Sequence, residues 1–287
     1  MKFGLVLCTV GRDKEVEAFL ESIKNQTYTN YELIVVDQNK DDKLEKIIEK
    51  YSALLPKVKY FKVDFKGLSR ARNFGIKRIS EDVNVVAFPD DDCIYPENLL
   101  LMVKEKFEKF DDLDFITGIS IDPLTGIESN GRWSKEERDI NINNVWITAT
   151  SFTIFVKKKS LLINFDEKLG VGAGTEFGSG EEMDFLIRLI DLGCRGRFFR
   201  DVVVYHPNKV PDTDRTFSYS MGMGAVFRKN FKLNVSFIAN FLYLTTVRPI
   251  GGIFINLLRM DLYKVKLYSA VLIGRWKGFL NYEDKKQ

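Results

Sequence analysis

The sequence is poor in three residue types that often carry chemistry or constrain structure. Its 287 residues hold one His, three Cys and seven Pro. Cys8, Cys93 and Cys194 have no paired spacing, so they form neither a disulfide framework nor a thiolate metal site, and so sparse a count suits a reducing compartment. Net charge is also nearly absent. The balance of 43 Lys and Arg against 40 Asp and Glu leaves +3, which predicts no nucleic-acid partner. No long apolar segment with a small-residue cleavage site stands at the start, so no signal peptide is expected. The longest uncharged apolar run near the C-terminus, 233–247, includes two Asn and is shorter than the roughly 20 residues of a spanning helix. No transmembrane helix is expected from it. A Gly-x-x-x-x-Gly-Lys-Ser/Thr loop is missing too, which argues against P-loop phosphoryl transfer.

What is present is globular in kind. Hydrophobic residues make up 45% and charged residues 29%, and Phe alone occurs 23 times, enough for a sizeable core. The first 120 residues alternate between apolar runs and helical spacing. Strands are predicted over 3–9, 31–36, 58–65 and 83–88. Helices are predicted over 13–23, 42–55, 69–79 and 96–110, with Ser69 as an N-cap and Pro96 in a first turn. Such alternation implies a mostly parallel, Rossmann-like α/β sheet with helices on both faces. Beyond it, strands are expected over 114–121, 145–156 and 197–205 and a helix over 181–192. A glycine-rich loop is expected over 169–180, and helices from about Arg215.

Parallel sheets bind ligands outside the carboxyl ends of their strands. The residues there are Thr9-Val10-Gly11-Arg12, Asp37-Gln38-Asn39, Lys66-Gly67 and Asp90-Asp91-Asp92, all but Val10 polar, charged or glycine. Three adjacent carboxylates favour a counter-charge, and Mg²⁺ or Mn²⁺ commonly bridges one or two carboxylates and a substrate phosphate. A solvated acidic turn is the competing explanation. His206 also ends an apolar strand, where it is either structural or a ligand for metal or diphosphate. Glu181, Glu182 and Asp184 follow glycines at a loop–helix junction. They suit either a general base or simple stabilisation of a helix N-terminus. Arg70, Arg72 and Lys66 offer phosphate-binding forks or a plain charged face.

In order, the segments CTVGR, IVVDQNKDD, GLSRARNFGI, FPDDDCIYPENLL, FDEKLGVGAGTEFGSGEEMDFLIRL and VVVYHP resemble those of family 2 glycosyltransferases with the GT-A fold. The resemblance spans roughly residues 1 to 210. It implies inverting, non-processive transfer of a sugar from a nucleotide-diphosphate sugar, a UDP-sugar as first choice. The acceptor it implies is a saccharide, lipid-linked in capsule, exopolysaccharide or O-antigen synthesis. Residues 1–120 would then be the nucleotide-sugar half, 121–210 the acceptor-binding and catalytic half, and 211–287 a helical extension. Thr9, Val10, Arg12 and Asp37 would line the nucleoside pocket, and Arg72 and Arg70 would approach the diphosphate. Asp90 and Asp92 match the Asp-x-Asp element, with Asp91 beside the donor and His206 as a further metal ligand for Mn²⁺ or Mg²⁺. Glu182 matches the base, with Glu181 or Asp184 sharing acceptor contacts. The chain departs from the family where Asp37-Gln38-Asn39-Lys40 replaces Asp-Asp-Gly-Ser and where Glu181-Glu182 replaces Glu-Asp. It also lacks the Gln-x-x-Arg-Trp element of processive synthases. The competing functions are a metal-dependent nucleotidyltransferase and a non-catalytic nucleotide-sugar-binding module.

The last forty residues combine apolar stretches with Arg248, Arg259, Lys264, Lys266, Arg275 and Lys277, and Asp261 is the only acid between Arg248 and Leu280. A basic amphipathic helix of this type lies at an anionic membrane surface, here the inner face of the cell membrane. Packing on the core or on another copy in a homo-oligomer is the alternative.

Overall fold

The structure, a computed structural model, describes residues 1–231 and 234–283. The start of the apolar run at 233 lies outside the described residues.

Each predicted apolar run of the first 120 residues forms a strand. β1 (Phe3–Thr9) and β2 (Tyr31–Asp37) are buried at every position, because helices cover both faces. Between them lies α1 (Asp13–Lys24), which turns Val16, Phe19, Leu20 and Ile23 inward. The chain continues through α2 (Lys43–Ser52), β3 (Val58–Lys62), α3 (Leu68–Ile76), β4 (Val85–Ala87), α4 (Leu99–Lys109) and β5 (Phe115–Ile121). Two short strands, β6 (Arg138–Ile140) and β7 (Phe155–Lys157), precede α5 (Glu181–Asp191) and β8 (Gly196–Tyr205). The sheet order is β3-β2-β1-β4-β7-β5-β8-β6. β7 and β6 run antiparallel to their neighbours, and the remaining pairs are parallel. Thr9 pairs with Asp37 across β1 and β2, so two strand ends that differ in sequence by 28 positions are level.

Three expectations are corrected. The run 145–156 is not one strand: it makes 3₁₀ turns at Val145–Ile147 and Ser151–Thr153 before β7. Its threonines divert it. Thr150 and Thr153 cap the second turn reciprocally, and Thr117 donates to the Thr148 carbonyl at 2.5 Å. Ser69 is not an N-cap, since it lies inside α3 and its hydroxyl donates to the Leu169 carbonyl at 2.6 Å. The apolar segment after residue 234 is longer as a helix than as a sequence run, because the helix carries on through Arg248 and Pro249.

By contacts the chain forms two compact units. One comprises Met1–Lys66, Arg70–Asn164 and Arg188–Asn208 and contains the sheet. The other comprises Gly67–Ser69, Phe165–Ile187 and Lys209–Gln287. In the second, α6 (Thr213–Lys229) is capped by Asp212, which accepts from the Asp214 and Arg215 amides. α7 (Val235–Leu242) continues through a π turn at Tyr243–Val247 into α8 (Arg248–Leu258), and α9 (Leu262–Asn281) comes next. Pro249 does not stop this helix: it lies two residues beyond the π turn, where the helical winding has already been altered. Side chains of the last helix reach this turn: Arg275 donates to the Leu244 carbonyl, and Trp276 Nε1 donates to the Thr246 hydroxyl at 3.2 Å. The result is a helix of 24 residues, Val235–Leu258, with mean hydropathy 1.4, long and apolar enough to cross a membrane by length and composition. The region after Arg248 is two helices and not one, because Met260 adopts a φ of 54° between α8 and α9.

α6 and α9 approach backbone to backbone. A Cβ on Gly278 would lie 1.9 Å from the Met221 carbonyl oxygen, and one on Gly224 would lie 2.1 Å from that of Arg275. Small residues at these two positions are what permit the seam. α7 and α8 bury Phe237, Phe241, Thr245, Pro249 and Asn256, yet leave Ile250, Phe254, Leu257 and Leu258 exposed.

Candidate active site

In the first unit the carboxyl ends of β1, β2, β4 and β8 each deliver polar side chains to the same rim. Asp90, Asp91 and Asp92 follow β4, and they divide by direction. Asp90 accepts from Arg72 Nη2 at 3.0 Å and from Ser151 Oγ at 3.3 Å. Asp92 pairs with His206 Nε2 at 2.8 Å and also contacts Arg12 Nη1. Asp91 instead accepts from Thr9 Oγ1 at 2.8 Å and from Arg12 Nη1 at 3.0 Å. Burial, reinforced by Asp90 and Asp92, pushes the Asp91 carboxyl up to about 6 against the pull of Arg12 and Thr9. Burial opposes the charge on Arg12, but Asp91 and Asp92 outweigh it and raise the guanidinium above its usual value.

Asp90, Asp92 and His206 offer ligand atoms that all lie within 4.8 Å of one another. Two carboxylates and one imidazole form an oxygen-rich set that fits Mn²⁺ or Mg²⁺, with the nitrogen favouring Mn²⁺. His206 is held from behind. Its ring stacks on Phe152 with centroids 4.6 Å apart, and its Nδ1 lies 2.9 Å from both Asn130 Nδ2 and the Pro207 carbonyl. A hydrogen on Nδ1 donated to that carbonyl leaves the Nε2 lone pair for a cation.

Asp37 is fully buried at the end of β2, where it accepts from Tyr60 OH at 2.6 Å and from the Asn39 amide at 2.7 Å. Asn39 Oδ1 accepts from the Gly11 amide at 2.6 Å, joining the β1 and β2 loops, while its Nδ2 is buried with no hydrogen-bond partner among the described residues. Val10 is 55% exposed on the same rim. Arg72 is 1% exposed and points at Asp90, but Arg70 is exposed and stacks its guanidinium on Phe65 at 4.4 Å. The structure thus brings Thr9, Arg12, Arg72, Asp90, Asp91, Asp92 and His206 together and leaves Arg70 outside that network.

The other acidic group belongs to the second unit. Gly180, at φ +94°, turns the chain into α5, whose first turn carries Glu181, Glu182 and Asp184. Glu181 is 5% exposed and its carboxylate packs against Gly170, where an added Cβ would meet Oε2 at 3.1 Å. Asp184 is fully buried and tied down by Lys229 Nζ at 3.0 Å and Asn230 Nδ2 at 3.3 Å. Its environment is that of a structural anchor for the helix start.

Sequence reasoning did not find Asn130, Ser151, Phe152 or Tyr60. Asn130 has a φ of 56° and precedes Gly131, a turn signal that pointed to backbone and not to His206. The others carried no signal, since their roles depend on which strands become neighbours.

The model for glycosyl transferase family 2 matches residues 5–161. The chain belongs to that family. Among curated relatives of this family 2 chain, the minor teichoic acid biosynthesis protein GgaA of Bacillus subtilis is 29% identical over 153 residues, covering 50% of this chain and 33% of the relative. The O-antigen biosynthesis glycosyltransferase WbnJ of Escherichia coli is 29% identical over 135 residues, 46% of this chain and 50% of the relative. The family 2 chain therefore spans a third to a half of the length of these two relatives. Solved glycosyltransferases share its fold. The mannosyltransferase PcManGT of Pyrobaculum calidifontis, in complex with GDP-Man and Mn²⁺, superposes with a TM-score of 0.71 at 13% identity, over 98% of this chain and 87% of that one. Residues 1–349 of TarS of Staphylococcus aureus, in complex with UDP, give 0.61 at 17% identity, over 96% of this chain and 90% of that one. The family 2 chain accordingly has the GT-A fold expected of it.

Proposed function

We propose that the protein transfers one sugar from a UDP-sugar to a hydroxyl of a lipid-linked saccharide during synthesis of a bacterial surface polysaccharide. The observation that carries the proposal is the Asp90, Asp92 and His206 cluster beside Arg12 and Arg72, a set suited to a diphosphate and its divalent ion. Relatives named for teichoic acid and O-antigen synthesis support the class of product. A fold neighbour in complex with UDP supports the class of donor.

In this mechanism Thr9, Val10, Arg12 and Asp37 line the nucleoside pocket, and Asp91 joins Thr9 and Arg12 there. Arg72 faces the diphosphate, with Arg70 at its margin. A Mn²⁺ or Mg²⁺ ion held by Asp90, Asp92 and His206 would supply positive charge against the leaving diphosphate. Glu182 takes the proton of the acceptor hydroxyl. The freed oxygen forms a bond to the anomeric carbon from the face opposite the diphosphate, the bond to the diphosphate oxygen breaks, and configuration inverts. Glu181 contacts the acceptor, and Asp184 fixes the helix from which both glutamates project. In domain terms, 1–120 holds the donor, 121–210 the acceptor and base, and 211–287 contacts the inner face of the cell membrane.

The test uses a panel of nucleotide sugars with and without Mn²⁺. A UDP-sugar should raise Tm by mass action only when the ion is present. Glu182→Gln should keep that shift and lose about 10²–10⁴-fold in turnover, the usual worth of a general base. A metal-independent shift, or unchanged turnover in Glu182→Gln, would refute the corresponding part.

A further inference from the structure

The glycine-rich loop that leads into α5 is pinned on both of its flanks by the last turn of α9 and the two residues after it. On the entering side, Tyr282 OH donates to Asp166 Oδ2 at 2.8 Å, and Lys168 Nζ donates to the Glu283 carbonyl at 3.2 Å. On the leaving side, Asn281 Nδ2 donates to Glu176 Oε1 at 2.9 Å, and the Tyr282 ring lies 5.5 Å from that of Phe177. The loop closes on itself between these flanks: Thr175 Oγ1 donates to the Lys168 carbonyl at 2.6 Å and the Gly170 amide to the Phe177 carbonyl at 2.9 Å. Beyond this neck, Gly170, Gly172 and Gly174 all have positive φ, between 72° and 102°. The tip is tethered to the rest of the unit by the Leu68 amide, which donates to the Val171 carbonyl at 3.0 Å.

Asp166 is the centre of a longer chain of contacts. It also accepts from Lys229 Nζ at 2.6 Å, and Lys229 reaches Asp184 Oδ2 at 3.0 Å, in the first turn of α5. Its carboxyl is held below the usual range by Lys229, the Lys168 amide and Tyr282, although burial works the other way. Tyr282 is 3% exposed. A hydroxyl that is buried, directed at a half-buried carboxylate and set at the end of a helix is an expensive arrangement to order unless it fixes something.

We propose that Tyr282 is a positioning residue. The end of α9 acts as a buckle that closes the neck of the 166–177 loop and, through Asp166 and Lys229, sets the start of α5 with its two glutamates. The catalytic consequence rests on the assignment of Glu182 as base, but the mechanical one does not. The two halves of the Tyr282 side chain act on different flanks: its hydroxyl serves Asp166, and its ring serves Phe177.

Hydrogen–deuterium exchange on the full chain, without donor or acceptor, tests this. Tyr282→Ala should speed exchange about tenfold or more over both 166–170 and 175–178, with residues 31–37 of the sheet unchanged. Tyr282→Phe, which keeps the ring, should restore protection over 175–178 while 166–170 stays fast. Binding of UDP with Mn²⁺, followed by thermal shift, should be unaltered in both variants. Unchanged exchange in the loop, or faster exchange spread equally into the sheet, would overturn the proposal. So would equal protection of both flanks in Tyr282→Phe. Failure of every nucleotide to bind wild-type protein would refute the functional assignment and leave the exchange result standing.

Discussion

At the scale of single residues, the chain places two carboxylates shielded from water in one unit and treats them oppositely. Asp91, near other acids, is pushed up by burial. Glu32 is fully buried, but the Ser80 amide and hydroxyl donate to it at 2.6 and 2.5 Å, and Lys57 and Lys59 each approach to 3.3 Å. These partners overcome burial and hold Glu32 at about 2, below the ordinary 4.5. A depressed carboxyl contributes stability above its unfolded value and loses it as pH falls towards the folded one. Glu32→Gln should therefore cost roughly 2–3 kcal/mol at neutral pH, the shift discounted for its partly exposed lysines. The deficit should shrink as pH falls from 4.5 towards 2. Urea unfolding of both proteins across that range checks the sign: a deficit that grows on acidification would contradict the pairing.

At the scale of elements, β1, α1 and β2 were legible almost to the residue, because the helical spacing of α1 is unbroken and buried polar residues in the two strands are confined to Glu32 and the ends Thr9 and Asp37. The polar ends of β1, β2 and β4 were legible too, since locating the end of a strand also locates the residues on the rim, whereas β3 stops at Lys62, short of the expected Lys66-Gly67. The run 145–156 was not, because threonine hydroxyls bonding to nearby backbone offered it turns that an apolar pattern does not reveal. The partition of the acids after β4 was equally hidden: only the ends of β1, beside it, and of β8, beyond β7 and β5 in the sheet, send Asp91 one way and Asp92 the other. The α6–α9 seam was hidden as well, as Gly274 and Gly278 read as helix-weakening until the partner helix is known. Gly278→Ala should cost about 2–4 kcal/mol, more than ordinary overpacking, because the clash is with a carbonyl of the facing backbone. Gly251→Ala, a helical glycine with no neighbour within 4 Å, is the control and should be neutral or stabilising. Equal Tm values for the two variants would refute the seam.

At the scale of the whole molecule, the helical extension leaves a group of large apolar residues outward while burying some polar ones. Thr245 and Asn256 are buried, while Phe254, Leu257, Leu258 and Met260 are between 49% and 87% exposed. Arg259, Lys264 and Lys266, close by in the chain, are exposed as well. This pairing of apolar and cationic surface matches an anionic bilayer better than a second copy of the same face, which would set like charges together. Flotation should show binding to phosphatidylglycerol vesicles and little to phosphatidylcholine alone. Leu257→Glu with Leu258→Glu should weaken the former about tenfold or more. A concentration-dependent dimer that persists with vesicles, with no flotation, would assign the face to self-association instead.

The two margins of the sheet carry a different consequence. β6 at one margin is three residues long and begins Arg138-Asp139, and β3 at the other is five long with Lys59 and Lys62 along it. Short, charged outer strands make poor templates for another chain's backbone. When this protein is crowded, heated or overproduced, its strands should resist the cross-β pairing that seeds fibrils, and any clumping should start from the greasy helices.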